Sequence, residues 1–244
     1  VKHYKPISLL SVIYKLFTGI LVKRLETTLD AAQPTEQAGF RSGYSTMDNI
    51  QVLQQVIERC NEYELPLCLA FVDYEKAFDS IKLSSLFDAI EKQGIEPSYI
   101  NLLRSIYTNA TATISINDTP IPIKFKKGVR QGDTTSPKLF NAALEEIFRR
   151  LDWTKAGIKI NGKYLSHLRF ADDIIIFCNS AKDLQERIEE LNESSKMSGL
   201  KMNLKKTQVM FNNYINSCSI KVDNNELEIV DNYIYLGRKI TMPN

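Results

Sequence analysis

Two short apolar segments that border aspartates constrain the fold most strongly. The run Leu67–Val72 is apolar throughout and is followed at once by Asp73. A second region places Ala171, Asp172 and Asp173 between two further apolar runs. Runs of this length predict buried β-strands, and the short connection predicts a tight hairpin. A carboxylate beside a buried strand costs free energy unless it is solvated, paired or bound to a metal ion. These three aspartates are therefore the first candidates for a functional site.

The composition is that of an ordinary globular protein. Of the 244 residues, 43% are hydrophobic and 25% are charged, which argues against a disordered chain. This length allows one large domain or two closely packed subdomains. The net charge of +2 does not by itself indicate a nucleic-acid partner. Basic residues do cluster in two stretches, Lys124–Lys138 and Lys201–Lys206, and each is either a solvated surface or a binding surface.

The cysteines and histidines argue against a zinc site or a disulfide framework. The four cysteines are scattered without a Cys-x-x-Cys pair, and neither histidine lies at zinc-ligand spacing from them. This usage predicts a reducing, intracellular location. The most apolar long segment, Leu9–Leu29, carries three basic residues, so we expect neither a membrane span nor a secretion signal. Because residue 1 is not methionine, we expect the chain to be part of a longer polypeptide.

The remaining pattern predicts a mixture of helices and strands, and therefore an α+β fold. Apolar residues at three- and four-residue spacing predict an amphipathic helix between Leu9 and Leu25. Further helices are predicted over Thr46–Glu62, Leu83–Gln93, Pro97–Tyr107, Ser136–Leu151 and Lys182–Met197. Ser136 is expected to cap its helix. Strands are predicted over Thr111–Asn117, Ile121–Phe125, Tyr164–Phe170, Ile174–Cys178, Gln208–Phe211, Ser217–Val222, Glu226–Val230 and Tyr233–Leu236.

The three aspartates have two possible explanations. Asp172 and Asp173 alone could be ordinary turn residues, and Asp73 could be an ordinary strand end. Together, an aspartate at a strand end and a neighbouring aspartate hairpin could hold hard divalent cations such as Mg²⁺, which prefer carboxylate oxygens. Two such ions about 3.5–4 Å apart can clamp the attacking and leaving oxygens of a phosphoryl displacement.

The residues around the aspartates resemble the ordered motifs of reverse transcriptases. Segment 70–79 (AFVDYEKAFD) resembles the first catalytic block of that family, and segment 170–173 (FADD) resembles its paired-aspartate block. Segment 128–137 (GVRQGDTTSP) is similar to the block that contacts template and nucleotide. Four more segments are similar to the two fingers blocks and the last two palm blocks, namely 4–8 (YKPIS), 37–43 (QAGFRSG), 199–207 (GLKMNLKKT) and 235–237 (YLG).

These seven blocks occur in the family order and span nearly the whole chain. The FADD form, with RQG and YLG, is most similar to the reverse transcriptase domain of non-LTR (LINE-type) retrotransposons, and group II intron-type enzymes are the related class to exclude. The resemblance implies a right-hand polymerase fold, with an antiparallel palm sheet backed by helices and a helical fingers subdomain. We expect residues 1–65 to form part of the fingers and residues 66–244 to form the palm with inserted fingers helices, with the thumb missing.

The resemblance also implies a chemical role for individual residues. Asp73 and Asp172 would bind two Mg²⁺ ions directly, with Mn²⁺ as a possible substitute, and Asp173 would be a supporting ligand. Lys206 matches the lysine proposed to protonate the departing pyrophosphate. From the sequence alone, the adjacent Lys205 is an equal candidate for that proton donor.

Further residues match positions that meet the nucleotide or the template. Phe78 lies where the family places a bulky ring that excludes a ribose 2′-hydroxyl, and a core phenylalanine is the alternative. Contacts to nucleotide or template are also implied for Lys5, Arg41, Gln131 and Gly132. Lys5 stands where many members carry arginine, and a further arginine that is common in the family falls at Tyr44.

Two more positions have a structural alternative. Asp79 precedes a helical stretch, and a helix cap is its expected role. Tyr235, Leu236 and Gly237 match the turn that grips the primer end, for which a plain β-turn is the alternative.

The implied activity is that of an RNA-directed DNA polymerase, a nucleotidyltransferase. Its partners would be an RNA template, a DNA primer or target, dNTPs and the remainder of a larger retroelement polyprotein, without a membrane partner. The two basic stretches would contact the nucleic-acid backbone, and the location would be nucleus and cytoplasm in a eukaryotic host. An RNA-templated RNA polymerase and a non-catalytic, retroelement-derived RNA-binding module are the alternatives. Phe78, as a ring that excludes a ribose 2′-hydroxyl, argues against the RNA polymerase. The three intact carboxylates argue against the non-catalytic module.

Overall fold

The computed structural model describes residues 8–117, 119–216 and 218–242, which form a mixed α+β architecture. These residues divide into two compact units. The first unit comprises residues 8–33 and Lys76–Glu146, and the second comprises Pro34–Glu75 and residues 147–242. The expected division into fingers and palm near residue 65 stays a prediction.

The helices agree closely with the periodicity of the sequence. They are α1 (Val12–Ala31), α2 (Thr46–Glu62), α3 (Ala77–Ser80), α4 (Leu83–Lys92), α5 (Pro97–Thr108), α6 (Ser136–Phe148) and α7 (Ala181–Met197). Helix α1 begins after Ser11, whose hydroxyl accepts a hydrogen bond from the backbone N–H of Tyr14 at 3.2 Å. The predicted cap at Ser136 is wrong because Ser136 is itself the first residue of α6. The short α3 was not predicted.

The strands are more numerous than predicted. They are β1 (Cys68–Val72), β2 (Thr111–Ile116), β3 (Thr119–Lys124), β4 (Ile158–Ile160), β5 (Lys163–Leu165), β6 (His167–Phe170), β7 (Asp173–Cys178), β8 (Gln208–Phe211), β9 (Lys221–Val222), β10 (Asn225–Glu226), β11 (Glu228–Ile229), β12 (Asn232–Tyr235) and β13 (Arg238–Thr241). The predicted strand Tyr164–Phe170 is two strands, because β5 pairs with β4 whereas β6 pairs with β7. The predicted strand from Ser217 is reduced to β9, and Ser217 itself lies outside the described residues.

A five-stranded sheet forms the centre of the second unit, in the order β11-β8-β1-β7-β6. Its pairs are antiparallel except for the edge pair β11–β8, which is parallel. Strand β1 is buried along its whole length, as its uninterrupted apolar sequence predicted. Val72 is paired with Ile174, so β1 ends where β7 begins. The expected hairpin between β6 and β7 is confirmed, with Phe170 paired to Asp173.

One face of this sheet packs against α2. The buried residues of α2 recur every three or four positions and form one apolar stripe, Ile50, Leu53, Val56, Ile57 and Cys60. From the sheet, Leu69 and Phe71 of β1 and Phe177 of β7 join the same core. Helix α7 packs on β1 and β7 as well. Since burial of apolar surface is the main stabilising contribution, this packing holds the sheet that carries the aspartates.

Helix α1 of the first unit is apolar on more than one side. Leu21, Leu25 and Leu29 are buried, whereas six apolar side chains before Leu21 are exposed, namely Leu9, Val12, Ile13, Leu16, Phe17 and Ile20. Among the described residues, no helix is both long enough and apolar enough to cross a membrane.

A partly buried histidine on β6, His167, belongs to an aromatic cluster in the second unit. The ring of His167 stacks on Phe148 with centroids 4.4 Å apart, and the ring of Trp153 lies 5.8 Å away. Its Nδ1 forms a hydrogen bond with the hydroxyl of Ser166 at 2.9 Å. Burial, and then the positive charge of Arg169, hold the pKa of His167 well below its ordinary value of 6.5. The folded protein therefore keeps this ring neutral.

We expect the free energy of unfolding to fall as the pH is lowered from 7.5 to 5.5. The unfolded chain takes up a proton at an ordinary histidine pKa of about 6.5, whereas folded His167 does not, so protonation favours the unfolded state. The stabilisation is complete above that pH and is lost below it. Urea unfolding at both pH values measures the effect, and His167→Phe should reduce the dependence on pH. An equal pH dependence in the variant would show that His167 is not its source.

Candidate active site

The register of the central sheet brings the three predicted carboxylates to one end of β1 and β7. Asp73 follows β1 directly, and Asp173 is the first residue of β7. Asp172 lies in the turn between β6 and β7, after Ala171, whose φ is +56°. Asp73 and Asp172 are partly buried, whereas Asp173 is exposed. The expected proximity of a strand-end aspartate and an aspartate hairpin is therefore what the pairing produces.

The backbone around Asp73 is fixed by the segment that precedes β8. The N–H of Asp73 donates to the hydroxyl of Thr207 at 3.2 Å, and the N–H of Asn203 donates to the carbonyl of Asp73 at 2.8 Å. The N–H of Glu75 donates to the carbonyl of Lys201 at 2.8 Å. Thr207 is fully buried. These bonds hold the strand end on both sides of the carboxylate.

The structure distinguishes the two adjacent lysines that the sequence left equal. The Nζ of Lys206 lies 3.6 Å from Oδ2 of Asp73, in an ion pair whose lysine side chain is 67% exposed. Both lysines border an open pocket of about 440 Å³. The pocket is lined by Asp73, Lys205, Lys206, Gln208, Asn232, Tyr233 and Ile234. The ion pair places the ammonium group of Lys206 directly at the candidate metal-binding carboxylate.

Tyr233 is a site residue that reasoning from the sequence missed. Its ring stacks on Phe71 with centroids 4.1 Å apart and an angle of 15° between the planes. Burial, followed by the charges of Asp173 and Asp73, raises the pKa of Tyr233 to about 12. Its hydroxyl therefore stays protonated at neutral pH, close to two carboxylates. The signal in the sequence was its position two residues before Tyr235, on the same side of a strand.

The segment Tyr235–Gly237 forms a hairpin turn between β12 and β13. Tyr235 is paired with Arg238, and Leu236 and Gly237 have φ values of +47° and +81°. Two residues with positive φ give the primed turn that fits the twist of a hairpin, which makes glycine suitable at this point. The side-chain amide of Asn49 donates to the buried hydroxyl of Tyr235 at 3.2 Å. The plain β-turn is therefore present, and the primer grip stays a prediction.

The site is a set of carboxylate oxygens that is not gathered around one point. Among the described residues, no three side chains of histidine, cysteine, aspartate or glutamate form a group that could hold a metal ion. Within the second unit, Asp73 is paired with Lys206 instead. Carboxylates of like charge repel one another, and an ammonium group lowers that repulsion. The carboxylates share one end of the sheet, although they are not clustered.

In the first unit, Phe78 and Gln131 have defined partners. The ring of Phe78 stacks on Phe140 with centroids 4.4 Å apart and an angle of 13° between the planes. The side-chain amide of Gln131 donates to both carboxylate oxygens of Asp79 at 3.3 Å. Asp79 lies inside α3 and does not cap α4, which begins after Lys82, so the predicted cap is wrong. Its carboxylate is used by Gln131.

The structure shows the surroundings of Gly132 and Arg41 but does not describe Lys5. Gly132 is exposed and has a φ of +102°, and a Cβ there would lie 3.0 Å from the carbonyl oxygen of Ser8. The guanidinium of Arg41 donates to the carbonyls of Pro34 and Gln37 at 2.6 and 2.9 Å. It also lies over the ring of Tyr44, at 4.5 Å. Lys5 lies outside the described residues, so the phosphate contacts expected for it and for Arg41 stay predictions.

The first basic stretch is only partly a surface, so its predicted contact with nucleic acid stays a prediction for the exposed lysines. Arg130 is 9% exposed, and its guanidinium donates to the hydroxyl of Tyr14 at 3.1 Å. The rings within 5.5 Å of that guanidinium belong to Tyr14, Tyr107 and Phe125. Lys138 is paired with Asp30 at 2.7 Å. Both cations are structural, whereas Lys124, Lys126 and Lys127 are exposed. Aromatic rings stabilise a buried cation through their negative faces.

Comparison with protein families identifies the class of the chain. Residues 1–240 match the family model for reverse transcriptase (RNA-dependent DNA polymerase). The chain belongs to the reverse transcriptase family. This match covers almost the whole sequence, including all seven blocks that carried the resemblance.

The curated relatives are proteins of retrotransposable elements. The chain is 26% identical to the retrovirus-related Pol polyprotein of the R2DM element of Drosophila melanogaster. The match runs over 209 residues, or 84% of this chain. It is 28% identical over 202 residues, or 82% of this chain, to the Pol polyprotein of the R2 element of Nasonia vitripennis. It is 27% identical over 196 residues to the transposon TX1 149 kDa protein of Xenopus laevis, over 79%. The chain spans 19%, 19% and 15% of these relatives. The predicted non-LTR (LINE-type) class is confirmed.

Solved structures confirm the kind of fold. Apo telomerase of Candida tropicalis, truncated from its C-terminal domain, superposes with a TM-score of 0.65 at 15% identity, over 94% of this chain and 44% of that one. Telomerase of Candida albicans with a fragment of telomeric RNA superposes with a TM-score of 0.59 at 12% identity, over 94% of this chain and 36% of that one. The α+β fold is therefore shared with these telomerases.

We expect Lys206→Ala to lower the rate of primer extension by about 100-fold, which is typical for removal of a general acid. Lys205→Ala is the matched control, because it removes the same charge from the same pocket without removing the ion pair with Asp73. Its rate should change much less. Single-turnover extension at saturating dNTP separates the two variants. Equal losses would show that the ion pair does not identify the acid.

Proposed function

We propose that this chain is the catalytic core of an RNA-directed DNA polymerase that extends a DNA primer on an RNA template. The observation that carries the proposal is that Asp73 and the Asp172–Asp173 turn lie at the same end of one sheet. Membership of the reverse transcriptase family supports it. The relatives are far longer than this chain, so the template, the primer or target, dNTPs and the remainder of a larger polyprotein are part of the proposal.

The carboxylates provide suitable donors for divalent cations. Asp73 and Asp172 would hold Mg²⁺, or Mn²⁺ in its place, with Asp173 in support. Asp73 lines the same pocket as Tyr233. Mg²⁺ takes only one or two protein carboxylates and completes its shell with water and phosphate, so a three-ligand cluster in the protein is not required. When bound, such ions would stabilise the charge that develops on the phosphoryl oxygens.

The proposed reaction is attack of the primer 3′-hydroxyl on the α-phosphorus of a dNTP, with departure of pyrophosphate. The side chain of Lys206 is exposed and can reach outward from Asp73 to a phosphate oxygen. Its ammonium group would give a proton to the departing pyrophosphate. The turn Tyr235–Gly237 would hold the primer end, with the protonated hydroxyl of Tyr233 as an additional donor in the adjoining pocket.

The first unit would supply contacts to the nucleotide and template. Stacking on Phe140 restricts the ring of Phe78, which suits a side chain that must exclude a ribose hydroxyl. Gln131 and Gly132 would touch the nucleotide, and Lys5 and Arg41 would meet the triphosphate. In a right-hand polymerase fold, the central sheet would be the palm and the helical elements would supply the fingers.

We expect Asp172→Asn to abolish primer extension without unfolding the protein. The substitution preserves side-chain size but removes the negative charge that would bind a cation. Extension of a DNA primer annealed to RNA, with Mg²⁺ and dNTPs, measures activity, and circular dichroism and thermal unfolding check the fold. Extension near the parental rate in this variant would refute the proposal. Binding of RNA by a parent that shows no extension would instead favour the non-catalytic RNA-binding module.

We expect Phe78→Val to increase incorporation of ribonucleotides relative to deoxyribonucleotides. A smaller side chain would leave room for the 2′-hydroxyl that a phenyl ring excludes. The ratio of kcat/KM for dNTP to that for NTP, compared between the parent and the variant, measures the effect. Phe140→Leu is the matched control, because it removes the ring that stacks on Phe78 and keeps the Phe78 ring itself. An unchanged ratio in Phe78→Val would assign Phe78 to the core alone, and a parent that prefers NTP would favour an RNA polymerase.

A further inference from the structure

Gln37 joins the loop before α2 to the turn that carries Asp172. Its side chain is completely buried, with 0% exposure. The side-chain oxygen accepts a hydrogen bond from the N–H of Gly39 at 2.9 Å and another from the N–H of Ala171 at 3.0 Å. Ala171 immediately precedes Asp172. One amide oxygen is therefore shared between the loop and the carboxylate turn.

The turn adopts a backbone conformation that needs support. Ala171 has a φ of +56°, in the left-handed region that residues with a Cβ rarely occupy. It is 4% exposed, so its N–H depends on a protein partner. The side chain of Gln37 supplies that partner. Without it, the turn would keep an uncommon conformation and lose a buried hydrogen bond at the residue next to Asp172.

The loop also lies against the turn through its backbone. Gln37 forms a parallel bridge with Arg169, the N–H of Ala38 donates to the carbonyl of Arg169 at 2.9 Å, and the N–H of Arg169 donates to Glu36 at 2.8 Å. A Cβ on Gly39 would lie only 2.3 Å from the backbone nitrogen of Ala171. Gly39 is therefore needed for the close approach, and this contact leaves the turn little room to move.

We infer that Gln37 is a positioning residue for Asp172, and that it sets the affinity for divalent cation by holding the turn. The inference rests on the proposed function. Groups that orient a ligand without touching the metal commonly change metal affinity or activity by about 10- to 100-fold when they are removed. Gln37 acts through the backbone of Ala171, so its loss should affect the cation requirement more than the affinity for dNTP.

The test compares Gln37→Leu with the parent protein and with Gln33→Leu. Leucine keeps the buried volume and removes the acceptor for the two N–H groups. Gln33 is also buried, and among the described residues its side-chain amide has no hydrogen-bond partner, so it is a matched control for losing a buried glutamine. Hydrogen–deuterium exchange of a peptide spanning residues 168–174 reports on the turn. Extension rates over a range of Mg²⁺ concentrations report on the cation requirement, and thermal unfolding reports on stability.

We expect Gln37→Leu to exchange faster than the parent in this peptide and to need about tenfold more Mg²⁺ for half-maximal extension, with little change in KM for dNTP. Gln33→Leu should match the parent in both measurements. If Gln37→Leu does not fold, Gln37→Asn keeps the amide and draws its oxygen back from Ala171, and the same shifts are expected.

Three outcomes test the inference and the proposed function separately. Parental exchange and a parental Mg²⁺ requirement in the folded Gln37 variant, beside an inactive Asp172→Asn, would overturn the positioning role alone. A Mg²⁺ requirement that also shifts in Gln33→Leu would assign the effect to stability and overturn it as well. Extension by Asp172→Asn would remove the proposed function itself.

Discussion

Strand β1 is hydrogen-bonded to β7 on one edge and to β8 on the other, and every one of its residues is buried. Because side chains alternate between the two faces of a strand, a slip of one residue would exchange its two buried faces. Leu69 and Phe71 would then leave the core that they share with α2. The packing of side chains that touch no substrate thus fixes where Asp73 meets the turn at Asp172. The site depends on this register more than on any interaction among the carboxylates.

The electrostatics of the site follow from this placement at a strand end. Asp73 and Asp172 are only partly buried and Asp173 is exposed. Water therefore reduces the free-energy cost of placing three negative charges at one end of the sheet. The ion pair of Asp73 with Lys206 is also exposed, and exposed pairs contribute little to stability. Lys206 can therefore leave Asp73 at small cost, which suits a side chain proposed to act on the nucleotide. Tyr233 has the opposite character, because its hydroxyl is held protonated and its ring is fixed on Phe71.

Local patterns predicted the elements well and their partners poorly. Periodicity gave α2 with its observed bounds, and the apolar run ending at Asp73 gave a fully buried β1. Periodicity does not show which strands pair, so the division of Tyr164–Phe170 between two hairpins and the parallel pairing of β11 with β8 were not foreseen. Positive charge in a row suggested one surface, but Arg130 is enclosed by aromatic rings from distant parts of the chain. The family motifs named Asp73, Asp172 and Lys206, whereas the position of Tyr233 required the fold.

The loop that begins at Gln37 shows why a sequence block can contain more than one function. The resemblance of this loop to a fingers block of reverse transcriptases assigns Arg41 a contact with the triphosphate. Three separate physical requirements nevertheless apply within a few residues. Gln37 must present an acceptor to the turn, Gly39 must lack a Cβ where the backbones approach, and Arg41 binds the carbonyls of its own loop. None of these demands can be met by the same residue type. The choice of residue is therefore restricted at several positions of a block that supports a neighbouring turn. This holds even where only one of its side chains would reach the substrate.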